Sequence, residues 1–594
     1  MLLALASGLA ARAAQPDGFP DIQLPAKARG EQAIAALGGQ IGPVAAFYHI
    51  TAQELAVRLR RDNALWVDQH GRLFYVCDWG PMTAQSDPAP SGPVKLAAFP
   101  DKTFLLHSRP GSTKVIYLDF DGFDASTTSW GADAIGKPFD LDGDPTTFSA
   151  SERTTIQNIW QRVAEDYALY DIDVTTEDPG VEALRKSNGS DAAYGIRVVI
   201  GGSSGDWFGS AGGVAFVGSF DSSSDTPCWV WPGSLANSEK NIAEAASHEV
   251  GHTLGLGHDG QDVGGVHTEY YGGQGNWAPI MGVGYSRPIT QWSKGEYTNA
   301  NNLQDDLAVM LTHGAVYRPD DYGNSIAAAF PLSGVSFNVT GNIERTADVD
   351  FFTFQTGAGR VSLTVIPSPR GANLHILLSL YDNVGNLLAT VNPADTSSGV
   401  QQATLTTNLP TGVYYFSIEG IGSGDPVSTG YSDYASLGQY TVVGSFPNDS
   451  AWIPTGAGLY SWLDTPNWAS NTIPLGIDAI ARLNNNLVGA QVIDLNLPIT
   501  LGQLVLGDVD GSQSFDLEDG AGGSLTFNSR SGSAFLTDST GSADIVGATL
   551  ILQTDLNVTT STSNSLRLTG IISGPAGLIK KGPGTLNLST PAVY

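Results

Sequence analysis

Cysteine is nearly absent: Cys77 and Cys228 are the only two in 594 residues. One disulfide at most can form, which excludes a disulfide-stapled scaffold as the source of stability. Positive charge is scarce as well. Lys and Arg total 29 against 59 Asp and Glu, a formal net charge of −30. A surface of that sign repels phosphate backbones, so nucleic acid is excluded as a natural partner. Long apolar runs are missing too. Outside residues 2–11 no stretch approaches the ~18 apolar residues of a membrane-crossing helix, which excludes an internal transmembrane helix. An acidic, Lys-poor surface suits an exported protein, and its Asp-rich loops could hold calcium.

What is present points to several modules. A chain of 594 residues is too long for one core. The opening "MLLALASGLAARAAQ" has an apolar run over 2–11 and then Ala11-Arg12-Ala13, and lacks a basic n-region. It predicts a secretory signal over 1–13 and a secreted protein, with a buried N-terminal helix as the alternative. Residues 14–100 read as a small N-terminal module and linker, suited to a pro-region. "TAQELAVRLRRDN" gives an amphipathic helix with Leu55 and Leu59 on one face. "LWVDQHGRLFYV" reads as a hairpin about a Gly turn, and "SDPAPSGPV" (86–94) as a linker.

Residues 101–318 alternate strand and helix. "KVIYLDF", "DIDVTTE", "YGIRVVIGG" and "GGVAFVGSF" are strand candidates. The stretch 149–170 is a helix opened by a Ser149/Glu152 capping box, and 238–254 and 299–314 are two more. This order predicts an α/β domain: a twisted, mostly parallel sheet with helices packed on it. Residues 319–447 lose the helix signals and show short strands at sandwich spacing. Residues 448–594 show irregular short strands between Gly, Asn and Asp turns, which favours a β-solenoid.

The chemistry concentrates in "HEVGHTLGLGHDG" (248–260), where three of nine histidines fall within eleven positions. His248 and His252 are i and i+4, so both imidazoles leave one helix face, one turn apart. That spacing lets both reach one zinc ion. Glu249, one residue on, sits beside the metal and could act as general base. Gly255 can take positive φ, end the helix and turn the chain. His258 then returns as a third ligand. Three neutral imidazoles leave one position open, the arrangement of a catalytic rather than a closed structural site.

HExxHxxGxxH fixes three histidines, the Glu and the Gly together. Through it the chain resembles the metzincin clan of zinc endopeptidases over about 105–315. The resemblance implies zinc held by His248, His252 and His258, with Glu249 as base. It also implies a Met-turn, and "APIMGVGY" places Met281 23 residues after His258. Core filling is the lesser alternative for Met281. Asp259 is the residue of the reprolysin branch, where it is structural. Val283 stands where some subfamilies have a metal-approaching Tyr, so Tyr285 receives no role. "GGVAFVG" (212–218) resembles the strand above the cleft; an edge strand there would bind a protein or peptide substrate as an added strand, whereas a plain sheet strand would not.

Several readings stay open at this level. The Cys77 thiol could close zinc's open position and keep the enzyme latent, could pair with Cys228, or could be a plain thiol. "FDLDGDPTTFSASE" (139–152) could be a calcium loop, but its spacing departs from the 12-residue pattern and an acidic cap suits it as well. His49, His70, His107, His267, His313 and His375 lack ligand spacing. Residues 320–446 resemble the bacterial pre-peptidase C-terminal domain, through "DVDFFTF" and "GVYYFSIEG". Residues 574–589 resemble autotransporter-associated β-strand repeats. Both imply accessory β-modules, which could associate with a cell surface. A secreted zinc endopeptidase is the leading expectation; the alternative is a surface adhesin or structural passenger that keeps the protease fold as scaffold.

Overall fold

The computed structural model describes residues 18–80, 102–332, 336–356, 359–410, 412–446, 449–529, 532–540, 543–561 and 564–589. The expected signal at 1–13 and linker at 86–94 lie outside them.

The N-terminal module carries β1 (Ala28–Arg29), α1 (Gly30–Leu37), α2 (Ile41–Phe47), α3 (Ala52–Arg61), β2 (Leu65–Val67) and β3 (Leu73–Cys77). Thr51 and Glu54 cap α3 reciprocally, and Leu55 and Leu59 are buried as the amphipathic pattern requires. They join Phe19, Leu37, Val44, Val67 and Leu73 in a small core of their own. Among the described residues no single helix is long and apolar enough to cross a membrane.

The next layer has β4 (Lys114–Asp119), α4 (Ala150–Asp166), β5 (Asp173–Thr175), β6 (Tyr194–Ile200), β7 (Gly213–Phe216), β8 (Cys228–Val230), α5 (Glu239–Thr253) and α6 (Asp306–Thr312). Ser149 and Glu152 form the capping box of α4, and Ile156, Ile159 and Val163 bury its apolar stripe. Helix α5 is buried from Lys240 to Thr253, with Ser238 as its cap. It packs on α4 and lies beneath β7 and β8.

The sheet departs from the parallel expectation. Its order is β1-β2-β3-β7-β8-β6-β4-β5. β4, β5, β6 and β8 pair in parallel. β7 runs antiparallel to β8, and β3, β2 and β1 continue antiparallel beyond it. The sheet is therefore mixed already at β7, and the N-terminal hairpin extends its antiparallel half. β7 would be an edge without that hairpin; here it is an interior strand. The expected helix at 299–314 begins only at Asp306, since Asn299 takes φ +59° and Asp305 supplies the cap. Gly314 (φ +96°) follows its end.

Residues 330–445 form two antiparallel sheets. One is ordered Phe330–Pro331, Val349–Thr356, Gly412–Gly420, Ile376–Tyr381, Leu387–Val391, with Phe330–Pro331 joining in parallel; the other is Ser336–Ile343, Gly438–Ser445, Gly359–Pro367, Ala403–Leu409. Phe352, Phe416, Leu363 and Val442 fill the space between, in a core that runs on into that of α4 and α5. The seam is also polar. Asn373 donates to Asp166 (2.9 Å), Gln439 to Glu165 (3.1 Å), Tyr434 to Asp305 (2.7 Å) and Gln274 to the Gly430 carbonyl (2.8 Å).

Burial pushes Glu165 up to about 8, against the hydrogen bonds from Gln439, and Asp166 up to about 7. Both hold protons more tightly folded than unfolded, so the stability they confer is complete below about pH 4 and is lost as pH rises through about 8. Glu165→Gln, which keeps the shape without the charge, should flatten the fall of thermal stability between about pH 5 and 9. Calorimetry of both chains checks it, and identical pH slopes would refute it.

From 449 on every strand pairing is parallel. Three sheets of six, six and four strands take their strands in turn from successive segments. Ala481, Leu504, Leu536 and Val558 stack in register, one per turn of the chain, and are buried.

Candidate metal centre

Helix α5 presents His248 and His252 on one face, and both are buried. Their orientation is fixed from behind. His248 Nδ1 lies 2.8 Å from the Ile280 carbonyl and His252 Nδ1 2.8 Å from the Leu256 carbonyl, which turns both Nε2 atoms to the same point. Gly255 ends the helix at φ +92°, and a Cβ there would also fall 2.4 Å from the His313 ring. Two constraints therefore demand glycine. The turn brings His258 Nε2 to 3.1 Å from His252 Nε2. Met281 is buried with its sulfur against Gly251 of α5, and its carbonyl accepts the Asp259 amide at 2.9 Å. The turn at Met281 thus ties the third histidine's loop to the helix of the first two. Asp259 is fully buried, which pushes its carboxyl up to about 8.

The fourth corner is Cys77. Its sulfur lies 3.6, 3.5 and 3.5 Å from the Nε2 atoms of His248, His252 and His258. A zinc ion with bonds of about 2.0–2.1 Å to nitrogen and about 2.3 Å to sulfur has tetrahedral edges of about 3.3 Å and about 3.5 Å. The donor set therefore fits zinc in both kind and spacing. Cys77 and Cys228 are both free and buried, so no disulfide joins them. Cys228 instead lies on β8, 3.7 Å from the Arg197 carbonyl.

Glu249 is buried beside this group without belonging to it. A Cβ on Gly213 of β7 would meet its carboxylate at 2.2 Å, and Gly213 is the ladder partner of Cys77. Burial pushes both Glu249 and the Cys77 thiol well above their usual ranges. A cation held here would draw both back down.

Two residues at the site carry no signal in sequence spacing. Tyr270 packs on His258 with centroids 4.4 Å apart, and burial, with Cys77, Asp62 and Glu249 nearby, pushes its hydroxyl up. Asp62, at the end of α3, brings its carboxylate 3.2 Å from His258 Nδ1. Burial opposes charge on Asp62, yet His258 and the Ala64 amide hold it below the usual carboxylate range. Tyr285, four residues after Met281, faces the ring of Trp79 at 5.4 Å.

The other candidates separate. In the 139–152 loop, Asp140, Asp142 and Glu152 cluster, but Glu152 spends its oxygens on the amides of Leu141 and Ser149 as a helix cap. Two further carboxylate groups that could take a cation share Asp320, one with Asp321 and Glu344 and the other with Asp348 and Asp350. His107 pairs with Asp173 and Glu177, His267 with Asp262, and His375 with the Pro393 carbonyl. None of these joins a metal-sized group among the described residues.

A search of curated proteins returns no match. Among solved structures, the pre-peptidase C-terminal domain of collagenase from Bacillus anthracis is similar at 16% identity, covering 21% of this chain and 97% of that one, with a TM-score of 0.14. The model of metallopeptidase family M12B, reprolysin-like, matches residues 155–259, from α4 through His248, His252, His258 and Asp259. The chain thus carries a reprolysin-like M12B metallopeptidase domain over that span.

Proposed function

We propose that this chain is an exported zinc endopeptidase held latent by its own N-terminal module. The observation that carries the reading is the convergence of three imidazole nitrogens on one point, with the buried Glu249 carboxylate alongside. His248, His252 and His258 would hold the ion. When bound, zinc supplies the Lewis acidity that activates water and polarises a peptide carbonyl.

The remaining work belongs to the chain. Glu249 takes a proton from the attacking water at its carboxylate and passes it to the leaving amine, so the peptide bond is exchanged for an acid and an amine. β7 holds the substrate extended through its backbone amides and carbonyls once β3 has left. The low-dielectric pocket that buries Glu249 keeps bulk water from competing for its proton. Cys77 blocks all of this by filling the position that water needs.

The β-modules act in delivery and attachment. The coil of parallel strands from 449 is read as a β-solenoid, each turn burying its apolar face only against its neighbours. It would hold the enzyme at a cell surface.

The purified full chain should contain about one zinc per molecule. After release of latency it should cleave casein, and a zinc chelator should abolish that cleavage, with recovery on adding zinc back. Metal analysis by plasma mass spectrometry and a casein assay test this together. Cleavage that survives removal of the metal would overturn the reading, and a metal-loaded chain that never cleaves would favour the adhesin alternative.

A further inference from the structure

The N-terminal module does more than deliver a thiol. Residues 74–77 pair with β7 residue for residue: Phe74 with Phe216, Tyr75 with Ala215, Val76 with Val214 and Cys77 with Gly213. The Gly212 amide donates to the Cys77 carbonyl at 2.7 Å, which carries the ladder past the metal centre. This is how an extended peptide lies when it adds to a sheet edge.

Side chains of a strand alternate, so Tyr75, Cys77 and Trp79 all face the floor formed by α5. Tyr75 stacks on His252 with centroids 4.0 Å apart. Trp79, beyond the metal centre, fills a pocket walled by His248 (5.3 Å) and Tyr285 (5.4 Å). The pocket is shaped for a large flat ring. A Cβ on Gly212 would fall 2.6 Å from the Trp79 ring, so its wall must be bare backbone there.

We propose that this strand is a template for substrate, and that the enzyme prefers extended segments with a large aromatic side chain one or two positions C-terminal to the cleaved bond. The inference rests on the endopeptidase reading above. A substrate that replaces β3 along β7 in the same direction must turn its scissile carbonyl to the corner where the Cys77 sulfur lies. Its next floor-facing side chain then enters the Trp79 pocket. An aromatic ring regains the contacts that Trp79 leaves. A small or charged side chain leaves that pocket unfilled or buries an unpaired charge.

Two measurements on the zinc-loaded full chain test it. In the first, the Cys77→Ala chain is given a random peptide library and the cleavage products are sequenced by mass spectrometry. Trp, Phe and Tyr should exceed Gly and Asp about 10- to 100-fold at the first two positions after the cut. Cleavage without that enrichment overturns the pocket assignment and leaves the endopeptidase reading intact. In the second, Cys77 of the otherwise unaltered chain is labelled with a maleimide. Trp79→Ala should speed labelling about tenfold or more, as expected when a buried aromatic ring is removed, and Trp79→Phe should restore most of the protection. Labelling rates that ignore Trp79 overturn the inference whatever the library shows. Labelling that responds while no peptide is cut, either by the Cys77→Ala chain or by a chain freed of its N-terminal residues, leaves the pocket standing and removes the endopeptidase reading.

Discussion

Glu249→Ala, placed in a chain released from latency, is expected to lower peptide cleavage by about 10³- to 10⁴-fold while leaving zinc content unchanged. The size follows from the role. Glu249 shares helix α5 with His248 and His252 but stands apart from the group of donors that could hold the ion. Its removal deletes the proton acceptor and none of the ligands. The carboxylate sits under Gly213 of β7, where a bound carbonyl would pass. Casein cleavage and metal analysis on the same preparation separate the two effects. If the variant loses zinc along with activity, Glu249 holds the site together rather than serving as base. Full activity in the zinc-loaded variant would remove the assignment altogether.

The second large effect concerns the thiol. Cys77→Ala in the full chain is expected to turn a silent protein into one that cleaves, with a rise of about tenfold or more. In the cobalt-substituted protein the same change should delete the thiolate-to-metal charge-transfer band, a readout independent of proteolysis. The rise should stay below that of a chain freed of its N-terminal residues, because the β3–β7 ladder and the stacking of Tyr75 on His252 persist. A Cys77→Ala chain that stays silent and keeps the band would show that another group closes the site. Conservative replacement by Ser should fall between the two, since a hydroxyl is a poorer ligand for zinc than a thiolate.

Legibility in the sequence followed the range of the interaction. The helix bearing His248 and His252, its Ser238 cap, and the turn at Gly255 are set by residues within a few positions of one another, and they stand where their spacing puts them. The Ser149 cap was legible for the same reason. The joining of the N-terminal strands to the sheet was not, because it depends on β3 meeting β7 about 140 positions later, and nothing local in "LFYVC" names that partner. Cys77 could be suspected as a closing thiol; only the ladder register puts it opposite Gly213. Asp62 and Tyr270 reach the site from the end of one helix and from an irregular loop, where no periodicity marks a residue as inward-facing. In the last module the Gly-rich turns and short strands were visible, whereas the stacking of Leu504 on Leu536 and Val558 is a property of register between turns.

The shared eight-stranded sheet bears on how such a protein wakes. While the chain is continuous, the inhibitory strand faces β7 at an effective concentration in the millimolar range. A break after residue 80 abolishes that advantage but none of the ladder hydrogen bonds, ring contacts or the sulfur at the three imidazoles. The severed piece then becomes a tight-binding inhibitor acting in trans, and its hold depends on how much protein is present. A nicked preparation should therefore gain specific activity on dilution, measurable as upward-curving progress of peptide cleavage, whereas a preparation whose severed piece has been digested should show none. Release into a large volume would itself complete the activation that cutting begins.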